Sequence, residues 1–557
     1  MSLAPDSSSQ KFPFRFFVSF VILALAIVGI INVMLATRWG AGTSPDSVVY
    51  IAGARNLATG IGFSTISENG VATPITHHAP FYSIILAILN VFGLDPIQGA
   101  RWLNALLFSG IIVLVGFILR ELLYDPADKT NLTPLFGAAF VLASAALLEI
   151  HIMLWTEALF LLLSLLGFWI LSRFLDGMGY SFLIRSAILI AMAMLTRYIG
   201  VVLVATGGLS ILMFSRRPFR SRLLDAIVFG IIASIPMVFW LLRNVVLRGT
   251  AANREVFYHP ITRHQIGWGI TTLGSWLSIP DSAPGLVKML PYVVFGAAFL
   301  ALVIFKQKRS ASGNQISSWV SLSSLPSFIR IIIIFIPLYL GFLLFSLTFL
   351  DANIPLDSRI LSPVLVPLVI LVLYSATEGM KMLGQKAAPR FVLAAAGCLL
   401  LVALVAPTVD LVRNSYDNGI GFTSRTWRES PTMAALQDFP SGRVIYTNAP
   451  EAFYLYANRH TRPMPKKFDN ANQQQNIDYK NELLAVRQEL QESDGVVVYF
   501  NSQMWPTLPS AQEILNSLGL EVLEQTADGV IYGMKRAGFD EPPRSEINGW
   551  IFNCIHS

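Results

Sequence analysis

Long apolar blocks recur along this chain, and polar segments separate them. A helix that rises 1.5 Å per residue needs about 20 apolar residues to cross the roughly 30 Å hydrocarbon core of a bilayer. The first block is long for a signal peptide and its end is a poor cleavage site, so we expect a retained span there. The pattern predicts about eleven spans, at 14–36, 98–120, 135–150, 153–172, 182–196, 198–214, 224–246, 286–305, 329–350, 360–378 and 389–408.

The pattern changes after Asp410. Short apolar runs at 442–446 and 495–500 indicate buried parallel strands. The chain is therefore predicted to be a mainly α-helical polytopic membrane protein over residues 1–409, followed by a small α/β domain at 410–557. The other elements predicted for that domain are helices at 480–491 and 509–518 and strands near 520–526 and 529–534.

Composition and charge agree with a membrane protein and predict its orientation. The chain is 54% hydrophobic and 13% charged, whereas soluble domains contain about 25% charged residues. The net charge of +6 requires no nucleic acid, because Lys and Arg concentrate in alternate loops, such as 216–222, while loop 37–97 contains no lysine. The positive-inside rule then places the N-terminus in the cytoplasm. We expect a protein of the plasma (inner) membrane whose C-terminal domain is external.

Several familiar motifs are absent from the sequence. It has neither of the glycine-rich nucleotide-binding patterns, no Asp-x-Asp pair, no H-E-x-x-H and no G-x-S-x-G. The two cysteines, Cys398 and Cys554, do not suggest a disulfide framework. Any chemistry must therefore come from other groups.

The predicted external loop 37–97 contains the leading candidate, Asp46. Ser44 suits a helix cap and Pro45 the first helical position, so the sequence predicts a helix that begins here and continues to about Ala58. Asp46 then has two interpretations. It either complements the helix dipole, which the spacing alone favours, or acts as a general base or a metal ligand.

A pair of histidines, His77 and His78, occurs later in the same loop. The apolar stretch that follows them, 80–92, is too short to cross a membrane and predicts an interfacial helix. Adjacent side chains in an extended segment point in different directions, so the two histidines do not bind one metal together. They form either a polar start to that helix or a contact to a phosphate or a metal. Glu68 is a possible second carboxylate, although its surroundings also suit a turn.

Four charged residues lie at the predicted external ends of spans: Glu157, Arg197, Arg243 and Arg359. Each alone is explained by anchoring at the lipid headgroups. Together with Asp46 they predict a polar cavity at the membrane boundary. Arginines there suit a phosphate group, because the guanidinium offers paired hydrogen-bond donors.

Taken in order, five short motifs over about 14–410 resemble those of the GT-C glycosyltransferases. In particular, they resemble those of the bacterial relatives of the protein O-mannosyltransferases and of the lipid A aminoarabinose transferase. The chain departs from the usual pattern at Ser47, where the family often has Glu, and at Ala79, where Pro is usual. The motifs are Pro45–Tyr50, His78–Tyr82, Thr156-Glu157, Leu195–Arg197 and Arg359–Pro363.

The resemblance implies transfer of a sugar, with inversion, from a polyprenyl-phosphate donor within the membrane lipids to a hydroxyl of a lipid, protein or glycan. Asp46 would be the catalytic base. Some relatives use a divalent metal, for which Glu68 and His78 would be candidate ligands, and no other cofactor is implied. The residues implied at the donor phosphate or the substrate are Tyr50, His77, His78, Glu157, Arg197, Arg243 and Arg359.

Two other functions are compatible with a polytopic membrane protein. A transporter or flippase for a lipid-linked or anionic solute would place charges or broken helices near the bilayer midplane. A non-catalytic scaffold with an external binding domain would leave Asp46 dispensable. The predicted charges lie at span ends, which favours the transferase.

Overall fold

A computed structural model describes residues 12–66, 71–125, 131–252, 256–310, 322–382, 387–440, 442–457, 461–469, 471, 473–503 and 505–535. These residues form two compact units. The first contains the described chain up to Ser430, together with 451–457, 469, 471 and 473–474. The second contains 431–450, 461–468 and the described chain from Gln475 onwards. Glu68 lies outside the described residues.

The first unit is almost entirely helical. A short antiparallel hairpin in its first loop pairs β1 (Ser64–Ile66) with β2 (Ala72–Pro74). Its helices are α1 (Phe12–Ala36), α2 (Pro45–Ala58), α3 (Phe81–Val91), α4 (Pro96–Leu122), α5 (Thr133–Ala143), α6 (Ala145–Ile152), α7 (Glu157–Leu175), α8 (Tyr180–Met194), α9 (Val201–Phe214), α10 (Phe219–Arg248), α11 (Arg263–Ser275), α12 (Gly285–Ser310), α13 (Ser327–Phe349), α14 (Ser358–Met382), α15 (Ala387–Asn418) and α16 (Arg425–Arg428).

The predicted polytopic membrane architecture is confirmed. Within the described ranges, eight helices are long and apolar enough to cross a membrane, and α5 and α6 make a ninth if this pair, bent by 55°, is one span. The remaining two predicted spans fall on α8 and α9, which are shorter apolar helices. The helices predicted at 45–58 and 80–92 are present as α2 and α3.

Small residues allow the helices of the bundle to approach closely. A Cβ atom added to Gly116 in α4 would lie 2.8 Å from Ile22 Cδ1, and one added to Gly137 in α5 would lie 2.2 Å from Leu119 Cδ1. Glycine at such positions brings backbones together, which is how membrane helices gain packing energy without a strong hydrophobic drive.

Three non-helical segments meet beside α2. The Gly42 N–H donates to Ile152 O at 2.8 Å, and the Leu154 N–H donates back to Gly42 O at 2.7 Å. On the other side of this segment, the Phe422 N–H donates to Thr43 O at 3.0 Å. These bonds pair backbone groups that have no hydrogen-bond partner within a helix, and they fix the start of the first loop.

The second unit is a small α/β domain, as predicted. Its sheet has the order β4-β3-β5-β7-β6, in which β3 and β5 are parallel, as expected for 442–446 and 495–500. Leu483, Leu490 and Ile514 pack in its core beside the sheet. The strands are β3 (Ile445–Thr447), β4 (Arg462–Pro463), β5 (Val496–Phe500), β6 (Leu520–Gln525) and β7 (Gly529–Met534). Its helices are α17 (Pro431–Ala435), α19 (Tyr479–Glu492) and α20 (Ala511–Leu518), while all of α18 (Pro450–Tyr456) except Pro450 belongs to the first unit.

Gly421 provides a test of the junction beside α2. Its φ is +60°, and a Cβ there would lie 1.9 Å from Thr43 O. Gly93 also has a positive φ, +92°, but nothing lies within 4 Å of its Cβ position. Left-handed backbone alone costs a non-glycine residue about 1–2 kcal/mol. We expect Gly421→Ala to lower the thermal unfolding temperature of the detergent-solubilised protein well beyond Gly93→Ala. Equal effects would contradict the tight junction.

Candidate active site around Asp46

Helix α2 presents Asp46 from a rigid first turn. The Ser44 N–H donates to Ser47 Oγ at 2.9 Å, and Pro45 occupies the first helical position, as the sequence predicted. The helix start is also tied to the segment before α7. Ser47 Oγ donates to Leu154 O at 2.9 Å, and Trp155 Nε1 donates to Ser44 Oγ at 2.9 Å. Asp46 is therefore held against the N-terminus of α7.

An ion-pair cluster joins Asp46 to residues far away in the chain. Arg359, at the start of α14, donates from Nη2 to Asp46 Oδ2 at 2.7 Å and from Nε to Glu157 Oε1 at 2.5 Å. Arg197, between α8 and α9, forms a close ion pair with the same Glu157 oxygen. Thr156 Oγ1 accepts from Arg197 Nη1 at 3.3 Å. One carboxylate thus binds two guanidinium groups, and a second carboxylate binds one of them.

Burial in this cluster varies from one end to the other. The Glu157 side chain is 0% exposed, whereas the side chains of Arg197 and Arg359 are 16% and 20% exposed and that of Asp46 is 38% exposed. The two carboxylates balance the two guanidinium groups, so their net charge is zero. Asp46 therefore forms the open end of the cluster, and Glu157 forms its enclosed end.

The electrostatic surroundings keep Asp46 ionised. Burial alone raises the pKa of its carboxyl, but the electrostatic interactions with Arg359, His78 and Arg197 and the hydrogen bond from Arg359 together outweigh burial, and the net pKa lies below the ordinary value. The ion pair with Arg359 therefore stabilises the fold above that ordinary pKa. Its contribution is lost as the pH falls through the lowered pKa.

Histidine and tyrosine side chains lie on the other side of Asp46. His78 Nε2 is 3.9 Å from Asp46 Oδ1, and His78 Nδ1 is 3.2 Å from Tyr50 Oη. The ring centres of His77 and His78 are 4.2 Å apart. Tyr82 packs edge-on against Tyr50, with 5.8 Å between the ring centres. Two predicted site residues, His78 and Tyr50, thus come together beside Asp46, with His77 next to them.

Arg243 lies elsewhere. Its guanidinium donates to the backbone oxygens of Ile75 at 3.0 Å and Phe63 at 3.2 Å, and it stacks 4.5 Å from the ring centre of Trp240. These contacts hold the first loop in place. The structure therefore does not bring Arg243 together with the ion-pair cluster.

The sequence predicts no role in the site for Trp155 or Thr156, although Thr156 belongs to one of the five motifs. Trp155 stacks on Arg359, whose guanidinium carbon is 4.6 Å from the ring centre, and Thr156 contacts both Arg197 and Glu157. Both residues directly precede Glu157, and that adjacency is the signal from which they could have been found.

The described residues do not fit a metal centre. They contain no group of three or more His, Cys, Asp or Glu side chains that could hold a metal ion. The Asp46 carboxylate is already paired with Arg359, and Glu68 lies outside the described residues. We therefore assign no step to a metal.

Glu157→Gln tests whether the buried carboxylate holds the cluster together. The variant leaves two guanidinium groups without their shared buried partner, and breaking a buried ion pair costs about 3–5 kcal/mol. We expect a large fall in the thermal unfolding temperature in detergent. Asp46→Asn, at the exposed end, is the matched control and should cost far less. Similar losses in both variants would contradict this role of Glu157.

Comparison of the sequence with protein-family models and with curated proteins found no match.

The fold does have solved counterparts. The crystal structure of ArnT from Cupriavidus metallidurans bound to undecaprenyl phosphate is similar over 92% of this chain and 97% of ArnT, at a TM-score of 0.54 and 12% identity. The apo state of the same protein is similar over the same shares, at a TM-score of 0.57 and 11% identity. ArnT is a GT-C glycosyltransferase. The chain is thus a polytopic membrane protein with the GT-C fold that its sequence motifs resemble.

Proposed function

We propose that this protein is a membrane glycosyltransferase that moves a sugar from a polyprenyl phosphate to an acceptor hydroxyl, with inversion. The observation that carries the proposal is the position of Asp46. A partly exposed carboxylate lies at the open end of a cluster with two arginines, on a GT-C fold. A base and two phosphate-binding groups side by side are what such a transfer needs.

In the proposed reaction, the acceptor oxygen attacks the anomeric carbon and forms the new glycosidic bond. The bond from that carbon to the phosphate oxygen breaks, and its electron pair stays with the phosphate. The hydroxyl proton passes to Asp46. Arg197 and Arg359 stabilise the charge that develops on the leaving phosphate, because fixed cationic donors act strongly where water is excluded.

Arg359 links the two halves of this reaction. It binds Asp46 Oδ2 in the structure, and a phosphate would compete for the same guanidinium. When Arg359 turns toward the phosphate, Asp46 loses the main positive charge that lowers its pKa. Its basicity then rises as the donor binds, which is when a proton must be accepted.

The lipid nature of the donor has separate support. The chain has no nucleotide-binding motif, so a soluble nucleotide sugar has no recognisable site in the sequence. The similar protein ArnT was crystallised with undecaprenyl phosphate. The acceptor class stays open among lipid, protein and glycan hydroxyls.

The rival function, a transporter or flippase, is less well supported. Glu157 is the first residue of α7 and Arg359 the second of α14, so these charges lie at helix ends. A transporter site needs charges near the midplane of the membrane.

Asp46→Asn tests the proposed base. In membranes supplied with radiolabelled polyprenyl-phosphate sugar, we expect transfer to fall about 100-fold or more, the usual loss of general-base catalysis. Asp95→Asn is the matched control, because Asp95 pairs with Arg55 outside the cluster and should leave transfer intact. Full activity in Asp46→Asn would refute the base. Movement of the labelled lipid across the membrane without sugar transfer would support a transporter instead.

The proposal also places Asp46 and the C-terminal domain on the non-cytoplasmic side and the N-terminus in the cytoplasm. The test uses a background in which Cys398 and Cys554 are replaced by Ser. An impermeant maleimide should label Glu492→Cys in intact spheroplasts, but Arg220→Cys only after the membrane is opened. The reverse pattern would invert the orientation.

A further inference from the structure

We propose that the acceptor hydroxyl binds between Asp46 Oδ1 and His78 Nε2, so that His78 serves the acceptor and not the donor phosphate. This inference rests on the proposed function. It assigns the two oxygens of Asp46 to two substrates. Oδ2 binds Arg359, on the side assigned to the donor, and Oδ1 faces His78, on the side assigned to the acceptor.

The distance between these two atoms is compatible with one oxygen that bridges them from the side. At 3.9 Å, Asp46 Oδ1 and His78 Nε2 are too far apart for a direct hydrogen bond, which needs about 2.7–3.2 Å. A hydroxyl oxygen can lie about 2.8 Å from both atoms at once. Such an oxygen would be held by two groups and directed by both.

The directions of these hydrogen bonds are fixed by chemistry. An ionised carboxylate only accepts, so the acceptor hydroxyl donates its hydrogen to Asp46 Oδ1. His78 Nε2 must then donate to the hydroxyl oxygen, which requires a neutral imidazole with its proton on Nε2. In that tautomer Nδ1 carries no proton and accepts from Tyr50 Oη, 3.2 Å away.

Tyr50 is suited to donate this hydrogen bond. Burial, and then the negative charges of Asp46 and Glu157, raise the pKa of its phenol well above the ordinary value, so it keeps its proton. Tyr82 packs against its ring. The resulting chain of donors and acceptors runs from Tyr50 through His78 and the acceptor oxygen to Asp46.

The loop that carries His78 is held at a fixed position. The carbonyl oxygen of Thr76 accepts hydrogen bonds from Tyr198 Oη at 2.9 Å and Asn244 Nδ2 at 3.0 Å. These contacts anchor the backbone two residues before His78. A group that orients a nucleophile needs such support, because small misplacements cost large factors in rate.

The arrangement provides separate binding groups for the two oxygens of an inverting reaction. The attacking and leaving oxygens lie on opposite sides of the anomeric carbon, so their binding groups must also be separate. The attacking oxygen, held by His78, forms the new bond and gives its proton to Asp46. The leaving oxygen takes the electron pair of the broken bond beside Arg197 and Arg359.

His78→Ala and His78→Gln provide the test, with the sugar donor that wild-type membranes use and with water and octyl glucoside as hydroxyl probes. We expect His78→Ala to lower kcat/KM for octyl glucoside by roughly 10- to 100-fold, while the Kd for undecaprenyl phosphate changes less than about twofold. His78→Gln, whose amide N–H replaces the Nε2 donor, should recover part of the activity. Tyr50→Phe should reduce transfer in the same way but less strongly.

Two further variants separate donor from acceptor effects. Arg197→Gln should weaken undecaprenyl phosphate binding, the opposite pattern to His78→Ala. His264→Ala changes an exposed histidine of α11 and should leave both quantities unchanged.

Three results would overturn the inference. One is weaker undecaprenyl phosphate binding in His78→Ala without loss at the acceptor. Another is loss of wild-type transfer on chelation and its return with a divalent ion, since the gap would then hold a metal. The third is a wild-type protein that binds undecaprenyl phosphate but transfers no sugar, which removes the proposed function itself and is recognised before any His78 variant is compared.

Discussion

The fully buried carboxylate of Glu157 is the point at which distant parts of the first unit are joined. It binds Arg197 and Arg359, and Arg359 reaches on to Asp46. Each buried charge costs several kcal/mol unless an opposite charge is held in good geometry. The cost is therefore met only when the starts of α2, α7 and α14 and the segment after α8 lie together. Charge neutralisation and helix assembly are coupled at this site.

The same neutrality bears on the proposed chemistry. The two arginines are already balanced by Glu157 and Asp46, so an added phosphate brings uncompensated negative charge. Glu157 is 0% exposed and cannot turn toward solvent, whereas Asp46 is the exposed partner. Arg359 is thus expected to exchange Asp46 for the phosphate and keep Glu157. Arg359 can therefore keep its ion pair with the buried Glu157 while its other ion pair passes from Asp46 to the phosphate.

Much of this fold follows from local pattern, and most of the site does not. The long apolar blocks predict the spans, and the Ser44-Pro45 pair predicts the start of α2. Both signals depend on residues that are close in sequence. The pair Asp46–Arg359 joins residues 313 positions apart. A single sequence identifies charged residues at the ends of spans. It does not show which of these ends meet in the folded protein. For that reason the sequence groups Glu157 with the residues at the donor phosphate or the substrate, and only the structure shows that it pairs with Arg197 and Arg359.

Arg243 is a second residue whose contacts cannot be read from the sequence alone. The sequence predicts that it lies, like Arg359, at the end of a span. In the structure it lies within α10, before the last turn, and it donates to the backbone oxygens of Phe63 and Ile75. A loop that leaves a helix bundle has carbonyl groups without helical partners, and these must be satisfied by side chains or by other extended segments. Arg243, Asn244 and the pairing of Gly42 with Ile152 and Leu154 all meet that need. A loop braced in this way can hold Asp46 and His78 at a defined separation, which a mobile loop could not do.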